Sequence, residues 1–152
     1  MLSSELIVCD TSFVGATLPA ARYAERTADW SSETRARLDE AVLAVSVISV
    51  AEVRAGLLRR RLGARRVERI EQHLATFARL PLDEETLDAW ARLRAASLDG
   101  GWNVGENDLW IAPTARTREV AVAACDRDFA RIDDSALEVI YLPATSSSPP
   151  AS

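Results

Sequence analysis

The chain has 152 residues, which by length is one domain with enough chain for a buried core. Its hydrophobic fraction of 48% and charged fraction of 27% are ordinary for a globular protein, and no apolar run approaches the roughly 20 residues that span a bilayer. The N-terminus lacks the features of a signal peptide, so we expect a cytoplasmic protein with no membrane association. The net charge of −5 argues against broad nucleic-acid binding, so any such contact must be local.

The first predicted strand ends on a carboxylate. Three consecutive aliphatic residues at 6–8 suit a strand buried on both faces, as in a parallel sheet. The run leads to Asp10, with the hydroxyl groups of Thr11 and Ser12 beside it. A carboxylate at the carboxyl end of such a strand lies where open α/β sheets bind their ligands.

Helices and strands alternate through the next segment. Within 13–30 we predict a short helix, a break at Pro19 and a second helical piece, followed by a helix from Ser31-Ser32. A strand over 41–47 comes next, and it is followed by a helix to about Leu62 that Gly63 ends. A helix over 64–78 and an edge strand over 79–82 complete this segment. Ser49 and Glu52 have the spacing of a capping box, which by itself is a complete structural explanation for Glu52. His73, the only histidine, lies away from every acidic candidate and is not expected to act in catalysis.

The second half continues the alternation. We predict a helix capped by Asp83 and stopped by Gly100-Gly101, a loop over 102–105, a helix from Glu106, and strands over 120–125 and 137–142. This order implies a parallel sheet covered on both faces, in one domain over 1–144, followed by a Ser/Pro/Ala-rich tail over 145–152 that we expect to be disordered. Cys9 and Cys125 are too few for a disulfide scaffold or a zinc site, and we expect buried, reduced thiols.

Four carboxylates are predicted to meet at the carboxyl edge of this sheet. Asp10 and Asp126 directly follow strands, Glu52 lies in the first turn of the helix after the second strand, and Asp108 lies in the first turn of a later helix. Each pair of such charges costs on the order of 4 kcal/mol at 4 Å and an effective dielectric of 20, so cations or bound protons must offset the repulsion. Oxygen ligands favour Mg²⁺ or Mn²⁺, and two such ions suit phosphodiester hydrolysis. Taken singly, each acid also has a structural explanation as a cap or turn residue.

Arginine is concentrated in one stretch of the chain. All 18 basic residues are Arg, and seven of them lie within 54–69: Arg54, Arg59, Arg60, Arg61, Arg65, Arg66 and Arg69. Such a run is either a solvated helix face or a surface for phosphate or for an acidic partner, and the sequence leaves both open.

Four segments, in a characteristic order and spacing, carry a family resemblance: LIVCDTS at 6–12, ISVAEVRAG at 48–56, ENDLWIA at 106–112 and CDRDFARI at 125–132. The segments LPLDEET at 80–86 and LEVIYLP at 137–143 also fit. On these motifs the chain resembles PIN-domain ribonucleases, and within them the VapC-type toxins of bacterial toxin–antitoxin pairs. The resemblance covers nearly the whole chain up to its tail.

The resemblance implies a three-layer α/β/α fold with about five parallel strands in the order 3-2-1-4-5. It implies a homodimer that cuts structured RNA, such as tRNA or rRNA, and that a cognate antitoxin inhibits. It also implies a catalytic set that holds Mg²⁺ or Mn²⁺, with further residues in supporting roles. The catalytic and metal-binding residues would be Asp10, Glu52, Asp108 and Asp126, with Asp128 as an extra or substitute ligand and Thr11 and Ser12 as supports. The residues themselves add Asn107 as a further candidate support. The arginine run adds candidate contacts to RNA or antitoxin: Arg54, Arg59, Arg60, Arg61, Arg65 and Arg66.

Two positions depart from the family pattern. Ala124 stands where the family often has Ser or Thr, two residues before the fourth acid, so support for Asp126 would have to come from Asn107 or Thr11. Pro113 stands where the family usually has Ala and should kink its helix. Neither change removes a carboxylate, so both bear on metal affinity and rate more than on the reaction class.

Two other classes of protein also fit parts of the pattern. Receiver domains and haloacid-dehalogenase phosphatases place acids at strand ends, and Asp126-Arg127-Asp128 is similar to an Asp-x-Asp motif. Receivers need a Lys beside the acidic pocket, and this chain has none. A catalytically silent PIN-like module, which only binds RNA or a partner, is the other alternative; its acids would serve as caps.

Overall fold

A five-stranded parallel sheet forms the centre of the protein, in a computed structural model that describes residues 3–18 and 27–143. The strands are β1 (Leu6–Cys9), β2 (Val42–Ser46), β3 (Ala78–Leu80), β4 (Ala121–Ala124) and β5 (Val139–Tyr141). They lie in the order β3-β2-β1-β4-β5, and each neighbouring pair is parallel. The predicted sheet and strand order are therefore confirmed.

Six α-helices and one 3₁₀ turn connect these strands within the described residues. They are α1 (Thr11–Thr17), α2 (Ser32–Glu40), α3 (Val47–Arg60), α4 (Ala64–Leu74), α5 (Glu84–Gly100), α6 (Glu106–Arg116) and the 3₁₀ turn Asp128–Arg131. In this part of the chain, no helix is both long and apolar enough to cross a bilayer. The break at Pro19 and most of the second helical piece predicted after it fall outside the described residues, as does the tail over 145–152.

Hydrophobic cores cover both faces of the sheet, because successive strand residues point to opposite sides. On one face, Ile7 and Cys9 pack with residues of helices α1 to α4, including Phe13 and Leu74. On the other face, Val8 and Val122 pack against α6 and the 3₁₀ turn, whose buried residues include Ile111, Ala115 and Phe129. The helix α5 contributes the partly buried Leu93 at the margin of this core. This produces the predicted three layers, with β1 and β4 buried at the centre.

The start of α3 differs from the prediction. The helix begins at Val47, and Ser46 caps it by accepting a hydrogen bond from the backbone N–H of Ile48 at 3.1 Å. The predicted capping box is therefore wrong. Ser49 lies inside the helix, and its buried hydroxyl has no hydrogen-bond partner among the described residues. Because the helix starts earlier, Glu52 falls in its second turn and is free to serve another purpose.

The end of α3 also differs. We predicted that Gly63 stops this helix, but Arg61 is the residue that leaves it, with a φ of 51° in the left-handed region. Gly63 instead precedes α4 as its N-cap residue. The helix α4 ends at Leu74, short of the predicted boundary at 78, although Phe77 remains buried in the core.

Other helix ends follow their local signals. Ser31 and Asp83 cap α2 and α5, accepting bonds from backbone N–H groups at 3.1 and 2.9 Å. Gly101 ends α5 with a φ of 67°, which glycine adopts without the steric cost that a Cβ brings. The predicted kink at Pro113 does not interrupt α6, which continues to Arg116. Both cysteines are free thiols, but only Cys9 is fully buried.

Candidate active site at the sheet edge

An open cavity of about 480 Å³ lies at the carboxyl edge of the sheet, where β1 and β4 end side by side. Carboxylates dominate its lining, and no basic side chain of the described residues takes part. The lining residues are Asp10, Thr11, Ser12, Glu52, Gly105, Glu106, Asn107, Asp108, Asp126 and Asp128. The structure thus brings together every predicted acid and every predicted supporting residue. It also adds Glu106, an exposed carboxylate at the start of α6 that sequence reasoning passed over although it opens the ENDLWIA segment.

Asp10 is the most enclosed of these acids, with only 4% of its surface exposed. Its backbone N–H donates to the carbonyl of Ala123 at 2.9 Å, so the β1–β4 ladder extends to the acid itself. Ser12 Oγ donates to Asp10 Oδ2 at 2.7 Å and accepts from the backbone N–H of Cys125 at 3.0 Å. One hydroxyl therefore ties Asp10 to the end of β4, so the carboxylate has a defined orientation.

Glu52 reaches the cavity from α3. Its Oε2 accepts a hydrogen bond of 2.7 Å from Oγ1 of Thr11, which is the first residue of α1. This bond holds the carboxylate toward the end of β1 and links two helices of the same layer. Thr11 consequently does not supply the support for Asp126 that we considered, because its hydroxyl is used by Glu52.

The position of Asp108 was the one that depended most on the fold, because its helix had to begin at the carboxyl edge of the sheet. The helix α6 contacts both β1 and α3, and its N-terminal end lies at the cavity. Asp108 is its third residue, where the helix dipole favours a negative charge. Burial nonetheless raises the pKa of Asp108 to about 7, and the negative charges of four neighbours add to the rise: Asp10, Asp126, Asp128 and Glu52.

The turn after β4 carries the remaining acids. Asp126 Oδ1 accepts a bond of 3.2 Å from the backbone N–H of Asp128, which holds the turn over the cavity. Burial raises the pKa of Asp10, the hydrogen bond from Ser12 opposes this rise, and the charge of Asp126 adds to it. The cluster therefore has the mutual repulsion that the sequence predicted, and it favours either bound protons or a cation.

The donor set suits a hard cation, but the site is open. Within residues 3–18 and 27–143, no three His, Cys, Asp or Glu side chains stand in the geometry of a preformed metal site. Mg²⁺ commonly keeps several waters and takes only one or two protein carboxylates, so a wide, acid-lined cavity is compatible with it. The residues present therefore fit Mg²⁺ or Mn²⁺ by ligand type.

Comparison with known proteins identifies the fold family. The PIN domain, as a sequence family, matches residues 7–135. The chain belongs to the PIN-domain family. It is 35% identical over 131 residues to Ribonuclease VapC5 of Mycobacterium tuberculosis, an alignment that covers 82% of this chain and 97% of the relative. The expected VapC-type resemblance is confirmed, and the receiver and dehalogenase alternatives are excluded.

Solved structures agree with this assignment. The VapBC-5 toxin–antitoxin structure from Mycobacterium tuberculosis matches with a TM-score of 0.64 and 28% identity, over 90% of this chain and 98% of that one. A Rickettsia felis VapBC2 structure, bound to a DNA fragment from its promoter, matches with a TM-score of 0.72 over 90% of this chain and 98% of that one. At 17% identity, the second match supports the fold alone.

The arginine stretch of this PIN domain divides into two parts. Arg54 forms a two-pronged ion pair with Glu71 of α4, with distances of 3.0 and 3.2 Å, so it joins two helices. Arg59 and Arg60 line a groove of about 510 Å³ that shares Thr11 and Glu52 with the acidic cavity. The other predicted contact residues are exposed around the α3–α4 connection: Arg61, Arg65 and Arg66.

His73 lies on α4, as predicted, but it lines the groove that also contains Glu52, so it is not remote from every candidate acid. Its ring lies half-buried, with Nε2 at 3.1 Å from the carbonyl of Val14 and 3.2 Å from Thr17 Oγ1. Burial lowers the pKa of His73, and the ring stands edge-on to Phe77. It does not line the acidic cavity of the PIN domain.

Proposed function

We propose that this protein is an endoribonuclease that hydrolyses phosphodiester bonds with Mg²⁺ or Mn²⁺ at the acidic cavity. The observation that carries the proposal is the convergence of four carboxylates from distant segments on one cavity: Asp10, Glu52, Asp108 and Asp126. The name of the similar protein, Ribonuclease VapC5, supports the reaction class.

In this proposal the four carboxylates hold the cations, and Asp128 is a further ligand. When bound, the cations supply a hydroxide from water and stabilise the leaving oxygen. Ser12 and Thr11 orient Asp10 and Glu52 through their hydrogen bonds, so that these two carboxylates are held in place before a cation arrives. A cation held here would favour the charged form of Asp108, whose pKa is raised to about 7 by burial and by the neighbouring carboxylates.

We infer that the substrate is a structured RNA, with tRNA and rRNA as the first candidates, and that a cognate antitoxin inhibits the enzyme. Toxin–antitoxin complexes among the similar solved structures support an antitoxin partner. The groove beside the acidic cavity, with Arg59 and Arg60, is the proposed contact for RNA or antitoxin. A homodimer acting in the cytoplasm completes the proposal.

One assay tests the proposed activity. Purified protein is incubated with bacterial tRNA and rRNA in Mg²⁺, in Mn²⁺ and in EDTA, beside Asp10→Asn and the control Glu33→Gln, which changes an exposed acid on α2. We expect cleavage at defined positions with either cation, loss in EDTA and in Asp10→Asn, and full activity in Glu33→Gln. Cleavage that survives EDTA or Asp10→Asn contradicts the metal-dependent mechanism.

A second candidate is the catalytically silent module. The observation in its favour is the groove lined by the exposed Arg59 and Arg60, which could contact RNA or a partner without any chemistry at the carboxylates. In that case the wild-type protein would bind RNA or a partner protein with unchanged affinity in EDTA and would cut nothing in either cation. The same assay, with a binding measurement added, separates the two candidates.

A further inference from the structure

A tyrosine on the strand next to β4 lies close to the turn that carries Asp126 and Asp128, outside the residues that line the acidic cavity. Tyr141 is the last residue of β5 and is paired in register with Ala124, the last residue of β4. Two residues beyond Ala124 the chain reaches Asp126, which lines the cavity. Because neighbouring strands lie about 4.8 Å apart, this register places the tyrosine beside the turn that carries the acids.

The ring of Tyr141 is open to solvent. Of the aromatic side chains in residues 3–18 and 27–143, it is the only exposed one, with 38% of its surface accessible. Other aromatic rings pair with each other, such as the buried Phe13 with Trp30 and the partly buried Trp90 with Trp110. Core packing therefore does not account for the large apolar ring of Tyr141.

A guanidinium lies over this ring. The Arg127 Cζ is 5.8 Å from the Tyr141 ring centroid, a distance at which a cation and an aromatic face attract each other. Arg127 stands in sequence between Asp126 and Asp128, yet it forms no ion pair within the described part of the chain. The arginine thus contributes a flat cationic surface beside the turn that carries Asp126 and Asp128, and it leaves both carboxylates available.

The charge of the cavity indicates which part of an RNA could bind this surface. The carboxylates repel phosphate unless cations are bound, and the chain as a whole carries a net charge of −5. A nucleobase is uncharged and has a π-face, so it gains from stacking on an aromatic ring or a guanidinium whatever its sequence. Next to these acids, stacking can therefore supply affinity that electrostatic attraction to phosphate does not.

We propose that Tyr141 and Arg127 form a stacking platform for an RNA base that flanks the bond cut at the acidic cavity. This inference rests on the proposed ribonuclease function and adds a positioning element to it. The platform holds one neighbouring nucleotide and so sets the position of the phosphodiester relative to the carboxylates. Its contribution depends on the ring and on the planar guanidinium, and it does not require the phenolic hydroxyl.

The test uses a synthetic RNA hairpin that spans a cut mapped with the wild-type protein. Each nucleotide near the cut is replaced in turn by an abasic one, and binding is measured with Asp10→Asn protein so that the RNA stays intact. We expect one abasic position to weaken binding by about 5- to 150-fold, the range found for loss of a single base–aromatic stack. Adding Tyr141→Leu should abolish this position-dependent loss, whereas adding Tyr141→Phe should preserve it.

Two controls make the result decisive. Leu98→Ala removes an exposed apolar side chain on α5, outside the residues that line the cavity, and should leave the abasic profile unchanged. Arg127→Lys keeps the positive charge but removes the planar guanidinium. In this variant, the abasic nucleotide at the sensitive position should weaken RNA binding by a smaller factor. An identical abasic profile with and without the Tyr141 ring overturns the platform. If the wild-type protein neither cuts nor binds RNA, the proposed function itself fails, and the platform fails with it.

Discussion

Asp108 shows how surroundings change the chemistry of a single residue. An isolated aspartate is fully charged at neutral pH, but burial and nearby carboxylates raise the pKa of Asp108 to about 7. Its folded-state pKa therefore lies above its unfolded value. Between about pH 4 and pH 7 the folded state holds a proton that the unfolded state has released. In the absence of a cation, stability must fall as the pH rises through that window.

We predict that, in the metal-free protein, Asp108 lowers the unfolding free energy by on the order of 1–2 kcal/mol between pH 4.5 and pH 7.5, a figure that allows for solvent screening of this half-buried group. The variant Asp108→Asn should lose clearly less. Its remaining pH dependence comes from Asp10, whose pKa burial raises, and from His73, whose pKa burial lowers and whose effect on stability has the opposite sign. Urea unfolding in EDTA at the two pH values measures the difference. An equal loss in both proteins would mean that Asp108 is ionised as in an ordinary surface site.

At the scale of elements, α3 connects the two ends of the candidate binding surface. Glu52 and the pair Arg59 and Arg60 are separated by about two helical turns, or roughly 11 Å along the axis. All three line the groove that shares Thr11 and Glu52 with the acidic cavity. The same helix uses Arg54 differently, in an ion pair with Glu71 that connects it to α4. Position along one helix thus separates an arginine that supports the fold from those available to a phosphate backbone.

The prediction for this helix concerns salt. Replacing Arg59, Arg60 and Arg61 with Ala should weaken RNA binding and flatten the dependence of log K on log salt, by up to about 0.7 for each phosphate of a single strand that is no longer neutralised. Arg54→Ala is the matched control, since it removes an arginine of the same helix that is already paired. It should remove one exposed ion pair, with little effect on stability, and leave the salt slope unchanged. A slope that falls as much in the control as in the triple variant would assign the exposed arginines to another role.

For the whole molecule, the strand order decides where the acids meet. Residues 10 and 126 are far apart in sequence, but β1 and β4 are neighbours in the sheet and end at the same edge. The helix α6 then crosses β1 with its first turn at that edge, which adds Asp108. A site built from several distant segments exists only in the folded chain, so ligands of the site should stabilise the fold.

We therefore predict that Mn²⁺ raises the thermal unfolding midpoint of the wild-type protein. At a concentration of about 100 Kd the gain is about 2.7 kcal/mol, which corresponds to roughly 5–10 °C for a domain of this size. The double variant Asp10→Asn with Asp126→Asn should lose this shift, whereas Glu33→Gln should keep it. Differential scanning fluorimetry in a Mn²⁺ titration measures all three. A shift that persists in the double variant would locate cation binding away from the cavity.

Local chemistry made much of the fold predictable from the sequence. The runs ending in Asp10 and Asp126 identified two central strands, because uninterrupted aliphatic segments suit positions buried on both faces. Ser31, Asp83 and Gly101 marked helix ends correctly, since these signals act through hydrogen bonds or backbone angles within a few residues. The strand order came from the family resemblance, and the structure confirmed it.

Only the tertiary structure decided how these parts meet. The Ser-x-x-Glu spacing at Ser49 predicted a capping box, but Ser46 caps α3, and Glu52 accepts a hydrogen bond from Thr11, a partner 41 positions away. The tertiary structure also decided the direction of α6, the pairing of Arg54 with Glu71 and the raised pKa of Asp108. Each depends on contacts between segments distant in sequence, and such contacts exist only once the sheet has brought those segments together.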